Sequence, residues 1–329
     1  MKFLIAGLGS IGKRHLQNLA TLGEFDLTVY RTNRGSVPQK DLPEFKITND
    51  LDDALAQKPD AVIIANPTSL HMAIAISAAK AGCHLFLEKP ISHNLDQINE
   101  LKTLLRKNKL QCFVGFQYRF HPGLRKIVEL VRDGSIGRPL SARALWGEYL
   151  PDWHPWEDYR AGYSARSELG GGVVLTLSHP LDYLRWMFGE VEQLWAFTGK
   201  ISNLEINVED YAEIGLRFAN GAVGNLHLDY FRRPPEHRLD IIGSEGTIEW
   251  RAETGVTRLF RPVANAWESY LPPQGFSRND LFLAEMRHFL ETVSGDCPPL
   301  VTLEDGEKSL ILANAVLASA KSKKLIHLS

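Results

Sequence analysis

Short apolar runs alternate with helical patterns over roughly the first 120 residues of the chain. Six of the runs predict strands: Phe3–Ala6, Leu27–Tyr30, Phe45–Thr48, Ala61–Ala65, His84–Glu88 and Cys112–Phe116. The segments between them predict helices: Ile11–Leu22, Leu51–Gln57, Leu70–Ala81 and Leu95–Asn108. Asn94 is a suitable N-cap for the last of these helices. Apolar strands joined by crossover helices predict an α/β fold with a doubly wound parallel sheet covered on both faces.

The pattern changes after Pro122, where the strands become longer and alternate in polarity. One helix, Leu124–Asp133, precedes them. The predicted strands are Leu140–Tyr149, Gln193–Thr198, Tyr211–Phe218, Ala222–Tyr230, Arg238–Ile242 and Thr247–Trp250. Their alternation predicts an α+β domain with a large, mainly antiparallel sheet that has one covered face and one open face. Asn220-Gly221 predicts a tight hairpin in which both central residues have positive φ.

The chain has 329 residues, which is too long for one ordinary hydrophobic core. We divide it where the pattern changes, into domains of residues 1–120 and 121–329. Two closing helices, Asp280–Val293 and Leu303–Ser322, fall in the second domain. Because an open sheet face with apolar side chains usually finds a partner, we expect this domain to build a homodimer or a homotetramer.

Composition and charge exclude several classes of protein. A formal net charge of −2 gives no basic field that would attract nucleic acid or an anionic membrane. The three cysteines show no paired or metal-like spacing, which favours a reducing compartment. The apolar run at the N-terminus stops at Gly7, too early for a signal peptide, and no run is long enough to span a membrane. We therefore expect a cytoplasmic protein.

The first strand leads into a G-x-G-x-x-G motif, Gly7-Leu8-Gly9-Ser10-Ile11-Gly12, that opens a helix. In this context Gly7 permits a tight turn, Gly9 lets a pyrophosphate approach the backbone, and Gly12 permits close helix–strand packing. Ser10 and Ile11 lie at the helix N-terminus, where free N–H groups bind phosphates. The motif predicts a dinucleotide site in a Rossmann domain; the alternative is a glycine-rich turn of another α/β protein.

The end of the second predicted strand indicates which dinucleotide is bound. An Asp or Glu usually stands there and binds the ribose hydroxyls of NAD. Here Tyr30 is followed by Arg31-Thr32-Asn33-Arg34, with no acid. Arg31 and Arg34 suit a 2′-phosphate, and Thr32 adds a hydroxyl donor. We therefore predict NADP in preference to NAD; the alternative is that both arginines are solvated loop residues.

Several further motifs follow the glycine turn in a fixed order. They are Asn66-Pro67, His71, Glu88-Lys89-Pro90, Gly170-Gly171-Gly172, His179 and Asp182. In combination with the glycine turn they resemble the Gfo/Idh/MocA oxidoreductases, which include glucose–fructose oxidoreductase and inositol dehydrogenase. The resemblance covers essentially the whole chain. It implies a Rossmann domain, a mixed α/β second domain and a pyranose-like or inositol-like substrate.

The resemblance also implies roles for residues of the first domain. Lys89 matches the family lysine that lies near the nicotinamide and the reacting hydroxyl, and it would bind both cofactor and substrate. A lysine at the carboxyl end of a parallel strand can donate hydrogen bonds to substrate oxygens, although it could also be a surface residue. Asn66 and Pro67 would pass close to the nicotinamide ribose, and His71 and Glu88 complete the predicted cofactor site.

In the second domain, Val173–Phe188 predicts one helix with Thr176, His179 and Asp182 along one face. By resemblance, His179 acts on the substrate hydroxyl, and a neutral imidazole suits this proton transfer. Family members often carry an Asp where this chain has Thr176, so a carboxylate partner for His179 is missing unless Asp182 supplies it. The alternatives are a structural role for His179 and an ion pair of Asp182 with an arginine such as Arg185.

Further substrate candidates are rich in aromatic rings and hydrogen-bonding groups: Tyr118, Arg119, Trp153, Arg160, Tyr163 and Arg166. Aromatic faces with polar tips are typical of carbohydrate sites, and the arginines suit an anionic substituent. Two alternatives remain. The tryptophan-rich segment that begins at Tyr149 could pack only on its own domain, and Arg119 could brace the two domains.

The predicted function is hydride transfer between NADP(H) or NAD(H) and a ring hydroxyl or ketone of a sugar, polyol or nucleotide sugar. The nicotinamide carries the redox step, and the protein positions the substrate and moves the proton. No cluster with metal-ligand spacing is present in the sequence, so we expect no metal. Two alternatives are a redox-silent NADP-binding regulator and an enzyme that passes hydride between two sugars on one retained cofactor.

Overall fold

The computed structural model describes residues 1–32 and 45–328. Contacts between Cα atoms divide these residues into two compact units. The first consists of Met1–Gln117, Glu168–Gly170 and Arg278–Leu310, and the second of Tyr118–Ser167, Gly171–Ser277 and Ile311–Ser329. The first change of unit lies between Gln117 and Tyr118. The return of 278–310 to the first unit was not predicted, since helical periodicity does not reveal which sheet a helix covers.

The first unit is built on a six-stranded sheet in which all neighbours are parallel. Its strands are β1 (Lys2–Ala6), β2 (Asp26–Tyr30), β3 (Lys46–Thr48), β4 (Ala61–Ile64), β5 (His84–Glu88) and β6 (Cys112–Gly115). Their order is β3-β2-β1-β4-β5-β6. This is the doubly wound order in which nucleotides bind at the carboxyl ends of the strands, and β4 and β6 are buried along their whole length.

Within residues 1–32 and 45–328, five helices lie in the first unit, and a sixth begins there. They are α1 (Ser10–Leu22), α2 (Leu51–Ala56), α3 (His71–Lys80), α4 (Ile98–Asn108), α8 (Arg278–Ser294) and the first part of α9 (Leu303–Ser322). The prediction for the start of α4 was wrong. Gln97 occupies the N-cap position, and the Asn94 side chain accepts instead from the N–H of Asp96, at 3.1 Å, in the preceding turn.

The second unit contains a nine-stranded sheet with the order β14-β13-β12-β11-β7-β10-β9-β8-β15. The strands are β7 (Pro139–Gly147), β8 (Val191–Gly199), β9 (Tyr211–Phe218), β10 (Val223–Asp229), β11 (Glu236–Gly243), β12 (Thr247–Arg251), β13 (Thr257–Arg261), β14 (Ala266–Tyr270) and β15 (Ile326–His327). Only the β7–β10 pair is parallel among the pairs described, so the sheet is mainly antiparallel as predicted. The sequence prediction omitted β13, β14 and β15.

The second unit also contains α5 (Pro122–Arg132), α6 (Val173–Thr176) and α7 (His179–Phe188). The single helix predicted over Val173–Phe188 is therefore wrong, because residues 177–178 are not helical and separate α6 from α7. Pro180 explains the break: it has no N–H to donate to the carbonyl of Thr176, and its ring would clash with that carbonyl. Thr176 thus ends one helix and His179 begins the next.

The hairpin between β9 and β10 forms where the sequence predicted it, but its backbone differs. Gly221 has a φ of +86°, whereas Asn220 is not among the residues with positive φ. The N–H of Gly221 donates to the carbonyl of Phe218, and the Asn220 side chain accepts from the N–H of Ala222. The loop is therefore a three-residue turn that needs left-handed backbone only at its glycine.

Over residues 1–32 and 45–328, no helix is both long and apolar enough to cross a membrane.

Candidate functional site

The glycine turn between β1 and α1 has the geometry of a dinucleotide site. Gly7 has a φ of +102°, and a Cβ there would lie 2.7 Å from the backbone nitrogen of Asn66. A Cβ on Gly12 would lie 2.1 Å from the carbonyl oxygen of Gly7. A Cβ on Gly9 would meet no atom of the described residues within 4 Å. Packing therefore requires glycine at positions 7 and 12, while Gly9 leaves its surroundings open to a ligand.

Two further features of the first unit fit a bound dinucleotide. Gly9 occupies the N-cap position of α1 and offers no side-chain oxygen, and Ser10 at the start of the helix is exposed. The first N–H groups of α1 can therefore bind phosphate. In addition, both polar atoms of the Asn66 side-chain amide are buried and have no hydrogen-bond partner among the described residues. A ligand at the end of β4 would supply the missing partner.

The end of β2 lies beside this turn. The N–H of Gly7 donates to the carbonyl of Tyr30, and the N–H of Arg31 donates to the carbonyl of Thr48, both at 3.0 Å. Thr32 is exposed. Arg34, the other arginine predicted to bind a 2′-phosphate, lies outside the described residues.

His71 positions two loops of the predicted cofactor site. Its Nδ1 lies 3.0 Å from the carbonyl oxygen of Pro90, and its Nε2 lies 2.8 Å from that of Asn66. Burial lowers the pKa of His71, so the ring is neutral and donates a proton to one of the two carbonyls at a time. The imidazole nitrogens face the protein backbone, so His71 braces this region through its ring, and a contact of His71 with the cofactor stays a prediction.

Glu88 belongs to a buried cluster that the sequence analysis did not identify. One oxygen lies 2.6 Å from His15 Nε2, and the other accepts from the N–H of Lys89 at 3.2 Å. Burial and the nearby Glu88 charge raise the pKa of Glu285 on α8 well above its ordinary value, so that carboxyl is protonated at neutral pH. Glu88 therefore anchors the chain at Lys89, and its part in the cofactor site stays a prediction.

In the second unit, His179 is the first residue of α7 and is 2% exposed. Its ring meets Tyr118 edge to face, with centroids 4.9 Å apart, and lies 5.6 Å from the Trp146 ring at a tilt of 32°. Thr176, at the end of α6, is also buried. The imidazole predicted to move a proton is thus buried against the aromatic rings of Tyr118 and Trp146 in the second unit.

Asp182 forms a buried ion pair with Arg119. Arg119 Nε and Nη2 donate to the two Asp182 oxygens at 2.9 and 2.7 Å. Asp182 therefore pairs with an arginine, which was one alternative for it, and Arg185, the arginine named there as an example, donates to Glu190 at 2.9 Å. A part of Asp182 in the action of His179 stays a prediction. The ion pair gives Arg119 a partner inside its own unit.

The glycine triplet contacts a carboxyl group that the sequence analysis missed. Gly172 has a φ of +106°, and a Cβ there would lie 2.3 Å from Glu209 Oε1. The N–H of Val174 donates to the same oxygen at 3.2 Å. Burial raises the pKa of Glu209 to about 7. A carboxyl group able to change charge near neutral pH therefore lies beside α6, although Thr176 itself cannot carry charge.

The tryptophan-rich segment after Tyr149 divides into two parts. Trp153 packs edge-on against the buried Tyr230, with centroids 5.5 Å apart. Arg160 forms ion pairs with Asp158 at 2.8 Å and with Glu205 at 2.6 Å. Both acids lie beside Arg160 at the surface, and its predicted contact with an anionic substrate stays a prediction. Tyr163 and Arg166 are half-buried and lie closer to the glycine triplet in the chain.

One group of side chains in the first unit has metal-ligand character. Ligand atoms of His288, Glu291 and Cys297 lie within 4.8 Å of one another. His288 Nε2, however, accepts from the N–H of Leu300 at 2.9 Å, and His288 Nδ1 lies 3.7 Å from Cys297 Sγ. The arrangement is that of a hydrogen-bonded turn.

Comparison with known proteins assigns both units to one family. Residues 1–116 match the model described as "Oxidoreductase family, NAD-binding Rossmann fold", and residues 124–249 match "GFO/IDH/MocA C-terminal domain". Myo-inositol 2-dehydrogenase of Thermotoga maritima is 30% identical over 100% of this chain and 98% of its own length. The chain belongs to the Gfo/Idh/MocA family. It is an NAD(P)-dependent oxidoreductase, as its sequence predicted.

Solved structures support the fold of the whole chain. WlbA dehydrogenase from Bordetella pertussis, in complex with NADH and UDP-GlcNAcA, is 24% identical, with a TM-score of 0.83 over 100% of this chain and 99% of its own. Levoglucosan dehydrogenase in complex with NADH is 20% identical, with a TM-score of 0.89 over the same shares. A parallel dinucleotide-binding sheet followed by a mainly antiparallel sheet is therefore the architecture of this chain.

Proposed function

We propose that this oxidoreductase transfers hydride between NADP(H) and a ring hydroxyl or ketone of a sugar, a polyol or a nucleotide sugar. Family membership supports the reaction class. The relatives support the substrate class: one is a myo-inositol dehydrogenase, another a levoglucosan dehydrogenase, and a structural neighbour holds UDP-GlcNAcA. These substrates share a ring that carries secondary hydroxyl groups.

The observation that carries the proposal is the buried His179 imidazole at the start of α7. A nicotinamide, when bound, accepts or returns the hydride, so the protein must take up or supply the hydroxyl proton. His179 serves as the general base, with a neutral ring that suits this transfer. Lys89, directly after β5 and with its backbone fixed by Glu88, donates hydrogen bonds to the substrate oxygen.

The test is turnover on a panel of myo-inositol, levoglucosan and UDP-GlcNAcA, followed by nicotinamide fluorescence. On the compound that turns over, His179→Ala should lower kcat by about 10²- to 10⁴-fold and leave cofactor affinity unchanged, because a general base is lost. A deuterium isotope effect shows whether hydride transfer limits the rate. If His179→Ala kept most of its turnover under that condition, the role of His179 would be wrong. Tight cofactor binding with no turnover on any substrate would favour a redox-silent regulator.

We further propose that NADP is preferred over NAD. The support is the segment after Tyr30, which has arginines where NAD enzymes of this fold carry an acid. Arg31→Ala should weaken NADP binding by about 1–3 kcal/mol, the value of a charged hydrogen bond, and leave NAD binding nearly unchanged. Titration of both cofactors into wild type and variant measures the difference. Tighter binding of NAD than of NADP to the wild type would overturn the preference.

A further inference from the structure

Another buried histidine of the second unit, His237, lies close to the rings that contact His179. His237 is on β11 and is 4% exposed. Its register partner on β7 is Trp146, whereas the next pair, Arg238 and Leu145, lies on the other face of the sheet. His237 is thus on the covered face, as is the ring of Trp146. No motif of the sequence pointed to it.

The His237 ring joins two tyrosine hydroxyl groups. Its Nε2 lies 3.1 Å from Tyr183 Oη, and its Nδ1 lies 3.3 Å from Tyr118 Oη. Burial raises the pKa of Tyr183 well above its ordinary value, so that residue keeps its proton. A neutral imidazole has one donor and one acceptor, and it can therefore link the two hydroxyls in a directional hydrogen-bonded chain.

Aromatic contacts fix the plane of the same ring. His237 stacks on Trp146 with centroids 4.4 Å apart and an interplanar angle of 1°. Trp250 meets it edge-on at 4.9 Å and 87°. The backbone N–H of His237 donates to the Glu253 carboxylate at 3.1 Å. The stack on Trp146, the contact with Trp250 and the backbone hydrogen bond therefore fix the position of the imidazole.

Two of the side chains that contact His237 also contact His179. Tyr118 meets the His179 ring at 4.9 Å, and Trp146 lies 5.6 Å from it. We propose that His237 is a positioning residue, which acts through Tyr118 and Trp146 to fix the ring of His179 for proton transfer. This inference rests on the proposed role of His179 as general base.

The physical reason is that a general base works only in a narrow range of geometry. Displacement of a catalytic group by about 1 Å can cost as much as 100-fold in rate. The edge-to-face contact with Tyr118 and the tilted contact with Trp146 limit how far the His179 ring can turn. This restraint requires the two rings to stay in place, and the hydrogen bond and the stack of His237 hold them there.

The experiment compares four variants with the wild type. His237→Phe keeps a ring that can stack on Trp146 but removes both hydrogen bonds, whereas His237→Gln keeps a donor and an acceptor. Tyr118→Phe removes the same hydrogen bond from the other side, and a double variant combines it with His237→Phe. His327→Gln, on the exposed edge strand β15, is the matched control.

The readouts are kcat and KM on the panel compound that turns over, thermal unfolding, and the ring-proton NMR signals of His179 in the NADPH complex.

We expect His237→Phe to lower kcat by about 10- to 100-fold with KM unchanged. It should also move the His179 ring-proton signals, because the ring currents of Tyr118 and Trp146 change. Tyr118→Phe should have a similar effect, the double variant should be no worse than either single one, and His237→Gln should recover much of the rate. A purely structural residue would lower thermal stability without moving the His179 signals or separating kcat from KM.

Unchanged kcat and unchanged His179 signals in His237→Phe would overturn the inference, as would strictly additive effects of the two phenylalanine substitutions. Failure of the proposed function has a different signature. In that case His179→Ala keeps its turnover, while the His179 signals still move in His237→Phe. The assignment of the His179 signals comes from their loss in His179→Gln.

Discussion

At the scale of single residues, both units bury ionisable side chains whose charge depends on their neighbours. His15, Glu88 and Glu285 lie together in the first unit, and Arg119 pairs with Asp182 in the second. A charge removed from water is stable only with a partner, and a carboxyl group without one takes up a proton. Substitution of such groups should therefore change stability in ways that depend on pH or on the partner.

Glu209 should make stability depend on pH near neutrality. Its folded-state pKa of about 7 lies above the ordinary value of 4.5, so its stabilising contribution is full below pH 4.5 and is lost as pH rises through 7. Glu209→Gln should consequently be more stable than the wild type at pH 8, by about 1–3 kcal/mol, and nearly equal to it at acidic pH. Urea unfolding at both values measures this, with exposed Glu24→Gln as control. Equal stability of Glu209→Gln and wild type at pH 8 would contradict the raised pKa.

The Arg119–Asp182 pair should be structural. Asp182→Ala leaves a buried guanidinium without its carboxylate and should cost about 3–5 kcal/mol of stability. The double variant Asp182→Ala with Arg119→Met should recover part of this loss. Denaturant unfolding provides the measurement, with exposed Asp158→Ala as the control, because the Asp158 carboxylate is open to solvent. A stable Asp182→Ala variant that had lost turnover would show instead that Asp182 serves catalysis.

At the scale of elements, the turn from β1 to α1 depends on two glycines for different reasons. Gly12→Ala places a Cβ 2.1 Å from the Gly7 carbonyl oxygen and should destabilise the protein by about 1–3 kcal/mol through overpacking. Gly9 has a φ of −71°, and its Cβ would meet no described atom, so Gly9→Ala should preserve stability. It should nevertheless weaken cofactor binding, because the methyl group lies where the pyrophosphate approaches.

Thermal unfolding of the apo protein and cofactor titration separate the two effects. The expectation fails if Gly9→Ala unfolds as early as Gly12→Ala, or if it binds NADP(H) as tightly as the wild type.

At the scale of the whole molecule, the open face of the nine-stranded sheet should build a homodimer or a homotetramer. Trp195 and Phe197 project from β8 with exposed fractions of 43% and 66%, and their rings meet edge to face at 5.1 Å. Trp195 also lies across Gly215, where a Cβ would be 2.5 Å from its Nε1. Aromatic side chains exposed on a sheet face are typical of interfaces.

Light scattering should therefore give the mass of a dimer or tetramer for the wild type, and Phe197→Glu should shift the protein toward monomer. A glutamate on β14, which is at the far edge of the sheet, serves as the comparison: Glu268→Gln should leave the assembly unchanged. A wild-type monomer at micromolar concentration would contradict the prediction.

The sequence by itself determined the strands and most helices of the first unit and the location of its glycine turn. The reason is that these features depend on local signals: apolar strands of a covered sheet, helical periodicity, and glycines that the backbone requires at fixed spacing. The roles of Lys89 and His179 were also predicted from short segments and stay predictions. Where a local signal was misread, as in the helix over residues 173–188, the structure shows that a single proline decided the outcome.

Only the tertiary structure decided which side chains meet. His15 reaches Glu88 across 73 residues of chain, Arg119 reaches Asp182 across 63, and His237 reaches Tyr118 across 119. No periodicity or motif encodes such pairs, because they depend on strand order and on which helix covers which sheet. The same holds for Glu209, whose pKa rises mainly because the folded chain buries its carboxyl group beside Gly172 and α6. Long-range packing, rather than local sequence, therefore set the protonation and the position of these groups.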